Sequence, residues 1–237
     1  MATTIDIAEV EYALNLVQGS DEWLAFKCGK VSASRMSDLT AKLRNGEPSA
    51  SRNTYMGQLI AERLTGLPSD SYSNQAMDWG KAFEDEARAA YQFDQLVTVE
   101  PVGIVLHPHI VNSLASPDGL VGDDGLIEVK CPLTGNHIEA VLSGKIPDRY
   151  QQQIQWQLAC TGRQWCDFVS YDPRMPEHMR LWRKRLQRSD LRISQLEVEV
   201  VSFLAELDQR IVALRNIYEP DCTALANQTI QAVQPAL

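Results

Sequence analysis

Ser116-Pro117-Asp118-Gly119-Leu120 and, beginning ten residues after its aspartate, Glu128-Val129-Lys130-Cys131-Pro132 carry the chain's most telling pattern. A carboxylate on a tight turn precedes a carboxylate and an ammonium two residues apart on a short apolar strand. Alternation along that strand sends Glu128 and Lys130 to one face and Ile127 and Val129 to the other. Between the two segments, Val121-Gly122-Asp123-Asp124-Gly125 contains Asp-Gly, a hairpin-turn signal. A hairpin there folds the Asp118 turn back beside the second strand. The three polar heads then converge, which is a hydrolytic metal site in outline.

Phosphodiester cleavage calls for such groups. Mg²⁺ is a hard cation that takes oxygen ligands from a few carboxylates and keeps waters for substrate. Asp118 and Glu128 supply negative charge, and the Val129 carbonyl a neutral oxygen. Lys130 stands where it can orient or deprotonate an attacking water, or offset charge building on the phosphate. The bland competitor is an exposed hairpin whose Glu128 and Lys130 form a weak surface pair. A bare D…ExK triplet is common by chance. Pro117 before the aspartate, the strand context and the wider pattern favour the site.

The composition is that of one α/β enzyme domain. At 237 residues and 44% hydrophobic, the chain can bury a sizeable core. No apolar run approaches a membrane span, and the N-terminus, with Asp6, Glu9 and Glu11, lacks a basic-then-apolar signal region. Five cysteines without CxxC spacing read as free thiols in a reducing cytoplasm. His107 and His109 are a conceivable metal pair, but core or solvated histidines are the commoner case. A net charge of −9 is unusual for a nucleic-acid binder, so distribution matters more than the sum. The segment from Arg174 to Arg192 is basic in an otherwise acidic chain. Within it, Met179 to Arg185 interleaves cations with apolar residues, as a phosphate-tracking groove wall does or as a charged edge strand does. An acidic exterior with a basic bore suits an enclosing nuclease.

Periodicity orders the rest. Ser20-Asp21-Glu22 opens a short helix carrying Trp23 and Phe26, and Ser32-Ala33-Ser34 opens another, a natural phosphate site. A polar loop is expected from Arg44 to Arg52, then a helix from Asn53 that stops at Gly66-Leu67-Pro68. After a polar stretch from Ser69 to Asn74, Ala76, Trp79, Phe83, Ala87 and Ala90 share a longer helix's face. Glu84 sits one step around from Phe83, an ordinary surface acid on periodicity alone. Val97 to Leu106 reads as one β segment, and Val111 to Ala115 leads into the Asp118 turn. An irregular stretch follows Pro132, and Asp148 is placed to cap a helix whose stripe holds Tyr150, Gln153, Ile154, Gln157 and Leu158. Glutamines on a buried stripe need partners. A strand at Val169 to Asp172 and a last helix from Ser189 to about Tyr218 complete the domain, leaving residues 219–237 as a polar tail. The expected architecture is an α/β core with N-terminal helical additions and a C-terminal helix.

The Ser116–Leu120 and Glu128–Pro132 segments resemble the PD-(D/E)XK nucleases, and within them the lambda-exonuclease (YqaJ-like) viral recombinase branch. Trp79-Gly80-Lys81-Ala82-Phe83-Glu84, Trp23 through Ser34, and Tyr171-Asp172-Pro173-Arg174-Met175 fit the same branch, in order, from about Gly19 to about Gln187. The resemblance implies a restriction-endonuclease-like core, a central mixed sheet flanked by helices. It implies that Asp118, Glu128 and Glu84 are the acidic metal-site positions and Lys130 the catalytic lysine. Tyr150 and Gln153 are similar to a further active-site motif. Ser34 and Ser116 match residues that hold a terminal 5′-phosphate, and Lys27 stands where lambda-type enzymes have Arg. That exchange trades a bidentate fork for a point charge. Met77 lies at the position of an apolar residue suited to prying apart the terminal base pair. The broader group's QxxxY motif is met only as Gln153 and Gln157, without the tyrosine.

The implied activity is an Mg²⁺-dependent (or Mn²⁺-dependent) 5′→3′ exonuclease. It would use two ions on double-stranded DNA ends, release mononucleotides and leave a 3′ strand. The resemblance further implies a homotrimer around DNA, a single-strand annealing partner and a bacterial cytoplasm. Two alternatives stay open: an endonuclease on the same core, and a non-catalytic DNA-end-binding protein.

Overall fold

The strand bearing Glu128 and Lys130 lies at the centre of a five-stranded sheet in the computed structural model, which describes residues 7–69 and 75–218. This strand, β6 (Gly125–Lys130), pairs antiparallel with β5 (Gly119–Val121) and parallel with β7 (Trp165–Tyr171). On one side β2 (Val99–Glu100) adds to β5, and on the other β8 (Leu181–Gln187) adds to β7, both antiparallel. The sheet is therefore mixed, as expected. The β5–β6 connection turns at Gly122, whose φ of 52 suits glycine, while Gly125 already lies within β6.

Each sheet face is covered by a different helix. The helix α5 (Gln75–Gln95) puts Ala87 and Tyr91 against Ile127, Val129, Val169 and Tyr171. Opposite, α7 (Asp148–Thr161) packs Ile154 and Leu158 with Leu126 and Phe168. The predicted alternation of β6 is thus realised, and Glu128 and Lys130 face α7. The long α8 (Asp190–Tyr218) buries Ile193, Leu196, Val200, Phe203, Leu207 and Ile211, while Leu204 and Leu214 are half-buried. Phe203 stacks on Tyr55 of α4 (Ala50–Thr65), their ring centroids 5.6 Å apart. Burying a side chain such as Phe203 contributes about 1.5–3 kcal/mol.

A second, three-stranded sheet joins β1 (Val31–Ser32), β4 (Ser113–Ala115) and β3 (Val105–Leu106), with β1 and β4 parallel. Around it lie α1 (Ile7–Leu14), α2 (Asp21–Lys27), a 3-10 turn (Ala33–Arg35) and α3 (Met36–Leu39). Ser20 caps α2 by accepting the Trp23 N–H at 3.2 Å.

Four expectations are corrected. The 97–106 segment is not one strand: it splits into β2 and β3, which belong to different sheets. Pro101 has no N–H to give a ladder, and Gly103 lies so close to the Leu16 and Ala13 carbonyls that a Cβ would come within 2.4 Å and 2.6 Å of them. The stretch after Pro132 is helical, α6 (Thr134–Ser143). Asp148 is the first residue of α7 and does not cap it, Pro147 taking the N-cap place. The helix expected from Asn53 starts three residues earlier, where Ser49 accepts the Arg52 N–H at 3.2 Å. The expected tail, 219–237, lies outside the described residues, as do residues 70–74 of the polar stretch.

Candidate active site

Asp118 stands directly before β5, where Gly119 pairs with Ile127. Its Oδ2 accepts the Val129 N–H at 2.6 Å, which pins the turn to the centre of β6. A Cβ on Gly119 would lie 2.1 Å from Val99 Cγ1, so only glycine lets β5 sit this close to β2.

Glu128 is wholly buried, and both its oxygens are engaged. Oε1 accepts from Gln153 Nε2 at 2.6 Å and pairs with the Lys130 ammonium. Oε2 accepts from Gln157 Nε2 at 2.5 Å. Residues 153 and 157 are one helical turn apart, so α7 presents both amides to the same strand. This answers the question the buried stripe posed. Gln157, which the sequence reading left outside the site, is as close to Glu128 as Gln153 is, and its i+4 spacing was the signal. Its Oε1 is buried without a hydrogen-bond partner, which marks the amide as placed for its donor.

Burial pushes the Asp118 carboxyl well above the usual carboxylate range; the Glu128 charge adds to this, Lys130 opposes it, and Glu84 contributes further. Burial works against the Lys130 charge, but the Glu128 and Asp118 carboxylates and the Glu128 hydrogen bond outweigh it, so its pKa is raised. Its ammonium meets Glu128 Oε1, two residues along the same strand face.

Glu84 lies on α5 within electrostatic reach of Asp118, yet its Oε1 accepts from Arg88 Nη2 at 2.8 Å. Among the described residues no three His, Cys, Asp or Glu side chains are gathered as a ready cage for a metal ion. Two carboxylates converge, and the third stands beside them paired to arginine. The donors nonetheless fit a hard divalent ion: they are carboxylate oxygens, and the Glu128 charge adds to the burial that raises Asp118.

Tyr150 stacks on Phe168 at 5.3 Å, with the Lys130 Nζ 5.4 Å from its ring centroid and its hydroxyl accepting from Arg149 Nη2 at 2.7 Å. Lys27 and Ser116 meet through one side chain, Trp23. Ser116 Oγ donates to the Gly103 carbonyl at 2.7 Å and accepts the Trp23 indole N–H at 3.2 Å. Lys27 Nζ lies 3.6 Å over that same indole, and burial lowers its pKa to about 8 against a raising contribution from Glu62. Ser32 pairs with Leu114, so Ser34 and Ser116 each follow two residues beyond one register pair. Ser34 is exposed, its Oγ 3.2 Å from Ser32 Oγ. Met77 is in the first turn of α5, and its side chain lies outside the described residues.

Two other sequence features settle as structure. His107 is buried, its Nδ1 accepting the N–H groups of His109 and Ile110 at 3.2 and 3.1 Å, and burial lowers its pKa to about 4. It is a neutral core histidine, not half of a metal pair with exposed His109. From the Tyr171–Met175 motif, Asp172 grips Arg174 Nε at 2.7 Å, and the guanidinium stacks 4.4 Å from the Trp79 ring and bonds the Pro132 carbonyl at 3.0 Å. This clamp ties the end of β7 to α5 and to the exit of β6.

A mixed sheet with an acid at its hairpin, Glu-x-Lys on the next strand and a glutamine-bearing helix across from them defines the PD-(D/E)XK class of nuclease fold. Within that class, the YqaJ-like viral recombinase domain matches residues 22–164, and the chain belongs to that family. An alkaline exonuclease from Laribacter hongkongensis is 47% identical over 84% of this chain and 98% of its own, with a TM-score of 0.78. The same relative in complex with dAMP gives 48% over the same shares, with a TM-score of 0.79. A phage-related exonuclease from Haemophilus somnus 129PT shares the fold at 16% identity, a TM-score of 0.62, and 78% of this chain and 96% of its own. Among curated proteins none matches.

Proposed function

We propose that the chain is a divalent-metal-dependent exonuclease that digests one strand of duplex DNA from its 5′ end, releases mononucleotides and leaves a 3′ single strand. The observation that carries the reading is the Asp118–Glu128–Lys130 constellation locked by Gln153 and Gln157. The 47% identity with an alkaline exonuclease supports the choice among nucleases.

Asp118, Glu128, Glu84 and the Val129 carbonyl would hold Mg²⁺, or Mn²⁺, as one or a pair of ions. When bound, such ions lower the pKa of water and take up charge on the transferring phosphate. The chain's own groups do the rest. Gln153 and Gln157 fix the Glu128 carboxylate in one rotamer, and Lys130 donates toward the attacked phosphate while Tyr150 walls the site. Lys27, Ser34 and Ser116 hold the terminal 5′-phosphate, the lysine as a point charge and the serines by hydrogen bonds. By the family resemblance, the position of Met77 is the one that would act on the terminal base pair. By the family resemblance, residues 1–218 work as one nuclease domain in a homotrimer enclosing DNA. It would hand its 3′ strand to a single-strand annealing protein in the cytoplasm of a bacterial host. No helix among the described residues is long and apolar enough to cross a membrane.

Linear and covalently closed circular duplex are incubated with Mg²⁺, with and without a chelator. Loss of the linear form alone, and only without chelator, supports the reading. Cutting of the circle makes the chain an endonuclease, and binding of ends without cleavage makes it an end-binding protein.

A further inference from the structure

Beyond the carboxylates a cleft of about 670 Å³ opens between α6, the start of α7 and the outer strands β7 and β8. Lys130 and Tyr150 form its inner end, Phe168 its floor, and Lys145, Arg149 and Lys184 its rim. Glu139 and Asp148 are its acids, so its lining carries net positive charge in a chain of −9. Lys145 and Lys184 are exposed, and neither has an acidic partner within 4.0 Å among the described residues.

Its place follows from register. Glu128 pairs with Phe168 and Phe168 with Lys184, so carboxylate, ring and ammonium form one row across the sheet. Two strand spacings put Lys184 about 10 Å from Glu128 at the backbone. The Lys27–Ser116 pocket lies the other way, because Ser116 joins β4 to β5 and β5 precedes β6 in sheet order. Asp118, Glu128 and Lys130 therefore stand between a pocket with one lysine and a longer cleft with several cations.

We propose that this cleft is the subsite for the retained part of the scissile strand, binding the phosphates immediately 3′ of the cut through Lys184 and Lys145 and seating a base against the half-buried Tyr150, whose ring is backed by buried Phe168. The inference rests on the proposed exonuclease reading and adds a direction to it. With the 5′-terminal phosphate at Lys27 and the cut at the carboxylates, the chain of nucleotides continues over β7 and β8. Two phosphates meet two exposed ammonium groups, and an aromatic ring at Tyr150 accepts any base, as sequence-tolerant single-strand binding requires.

The test compares 5′-phosphorylated single strands of two and eight nucleotides as substrates for the wild type and for Lys145→Ala/Lys184→Ala. Neither lysine touches the catalytic carboxylates, so turnover of the dinucleotide should be unchanged. The wild type should prefer the octanucleotide in kcat/KM, and the double variant should lose that preference by about tenfold, in KM. Its binding of the octanucleotide should show a salt slope lower by about 1.4, the value for two phosphate contacts on a single strand. A wild type that cuts duplex but neither single strand, or that shows no length preference, overturns the subsite, as does a double variant that keeps the full preference and salt slope. Wild-type protein inactive on every strand and duplex would instead overturn the exonuclease reading.

Discussion

The Gln157 amide donates to Glu128 Oε2 at 2.5 Å while neither side chain is exposed. A buried carboxylate is tolerable only when its lone pairs are met, and here a helix meets them with amides that carry no charge of their own.

Replacing Gln157 with leucine keeps the volume and removes the donor. Leaving Oε2 unsatisfied should destabilise the protein by about 1–3 kcal/mol. Freeing the carboxylate should reduce turnover about 10–100-fold, the usual range for a lost outer partner of a metal ligand. Urea unfolding and steady-state digestion of linear duplex measure the two. Gln157→Glu, which sets a second carboxylate against Glu128, should be worse on both counts.

Lys27 gives a pH signature. Burial lowers its pKa to about 8 from 10.5, so between those values the unfolded chain holds a proton that the folded chain has shed. Stability should therefore gain from this residue as pH rises through that window. The pocket loses its positive charge over the same range, and the preference for 5′-phosphate over 5′-hydroxyl ends should fall between pH 7 and 9. Lys27→Arg, whose guanidinium stays charged, should show a flat preference. End-competition digests across that range measure it.

Asp118 and Glu128 repel one another across a site that burial desolvates. Asp118→Asn should raise the melting temperature of the metal-free chain while abolishing digestion. In the wild type, Mg²⁺ at about a hundred times its dissociation constant should add about 2.7 kcal/mol. The asparagine variant should gain little. Thermal unfolding with and without Mg²⁺ reads this apart from any activity.

Much of this arrangement was legible in the chain. Strict alternation put Glu128 and Lys130 on one face because successive side chains of a strand point to opposite faces, and the stripes of α5 from Trp79 onward and of α8 are real core faces, Ala76 lying outside the described side chains. The missed helix α6 buries only His137 and Ala140, while Leu133, Ile138, Val141 and Leu142 at its start and along it stay exposed. Its apolar residues thus mark no core stripe, and the buried histidine is held by Ser170 Oγ at 2.8 Å and the Met179 carbonyl at 3.0 Å, partners far off in sequence. The false long strand at 97–106 failed for a similar reason. Its apolar run serves two sheets, and only the approach of Leu16 and Ala13 to Gly103 reveals the break. The pairing of Glu84 with Arg88 was likewise hidden, though the i+4 spacing permits it.

Gly119 offers a check on packing at the site. Gly119→Ala drives a Cβ to 2.1 Å from Val99 Cγ1, so β2 and β5 must part. Overpacking of this kind typically destabilises by about 1–3 kcal/mol, and the shift should loosen the Asp118 turn. Thermal unfolding alongside digestion rates should show both falling, with Val99→Ala in the same chain restoring part of each.

The central claim is tested most directly on linear duplex labelled separately at the 5′ end of each strand, with Mg²⁺, for wild type and Lys130→Ala. The account predicts labelled mononucleotide as the earliest product from wild type, and a rate lower by about 10²–10³ in the variant despite retained DNA binding. Label appearing first in long fragments, or undiminished release by Lys130→Ala, would contradict it.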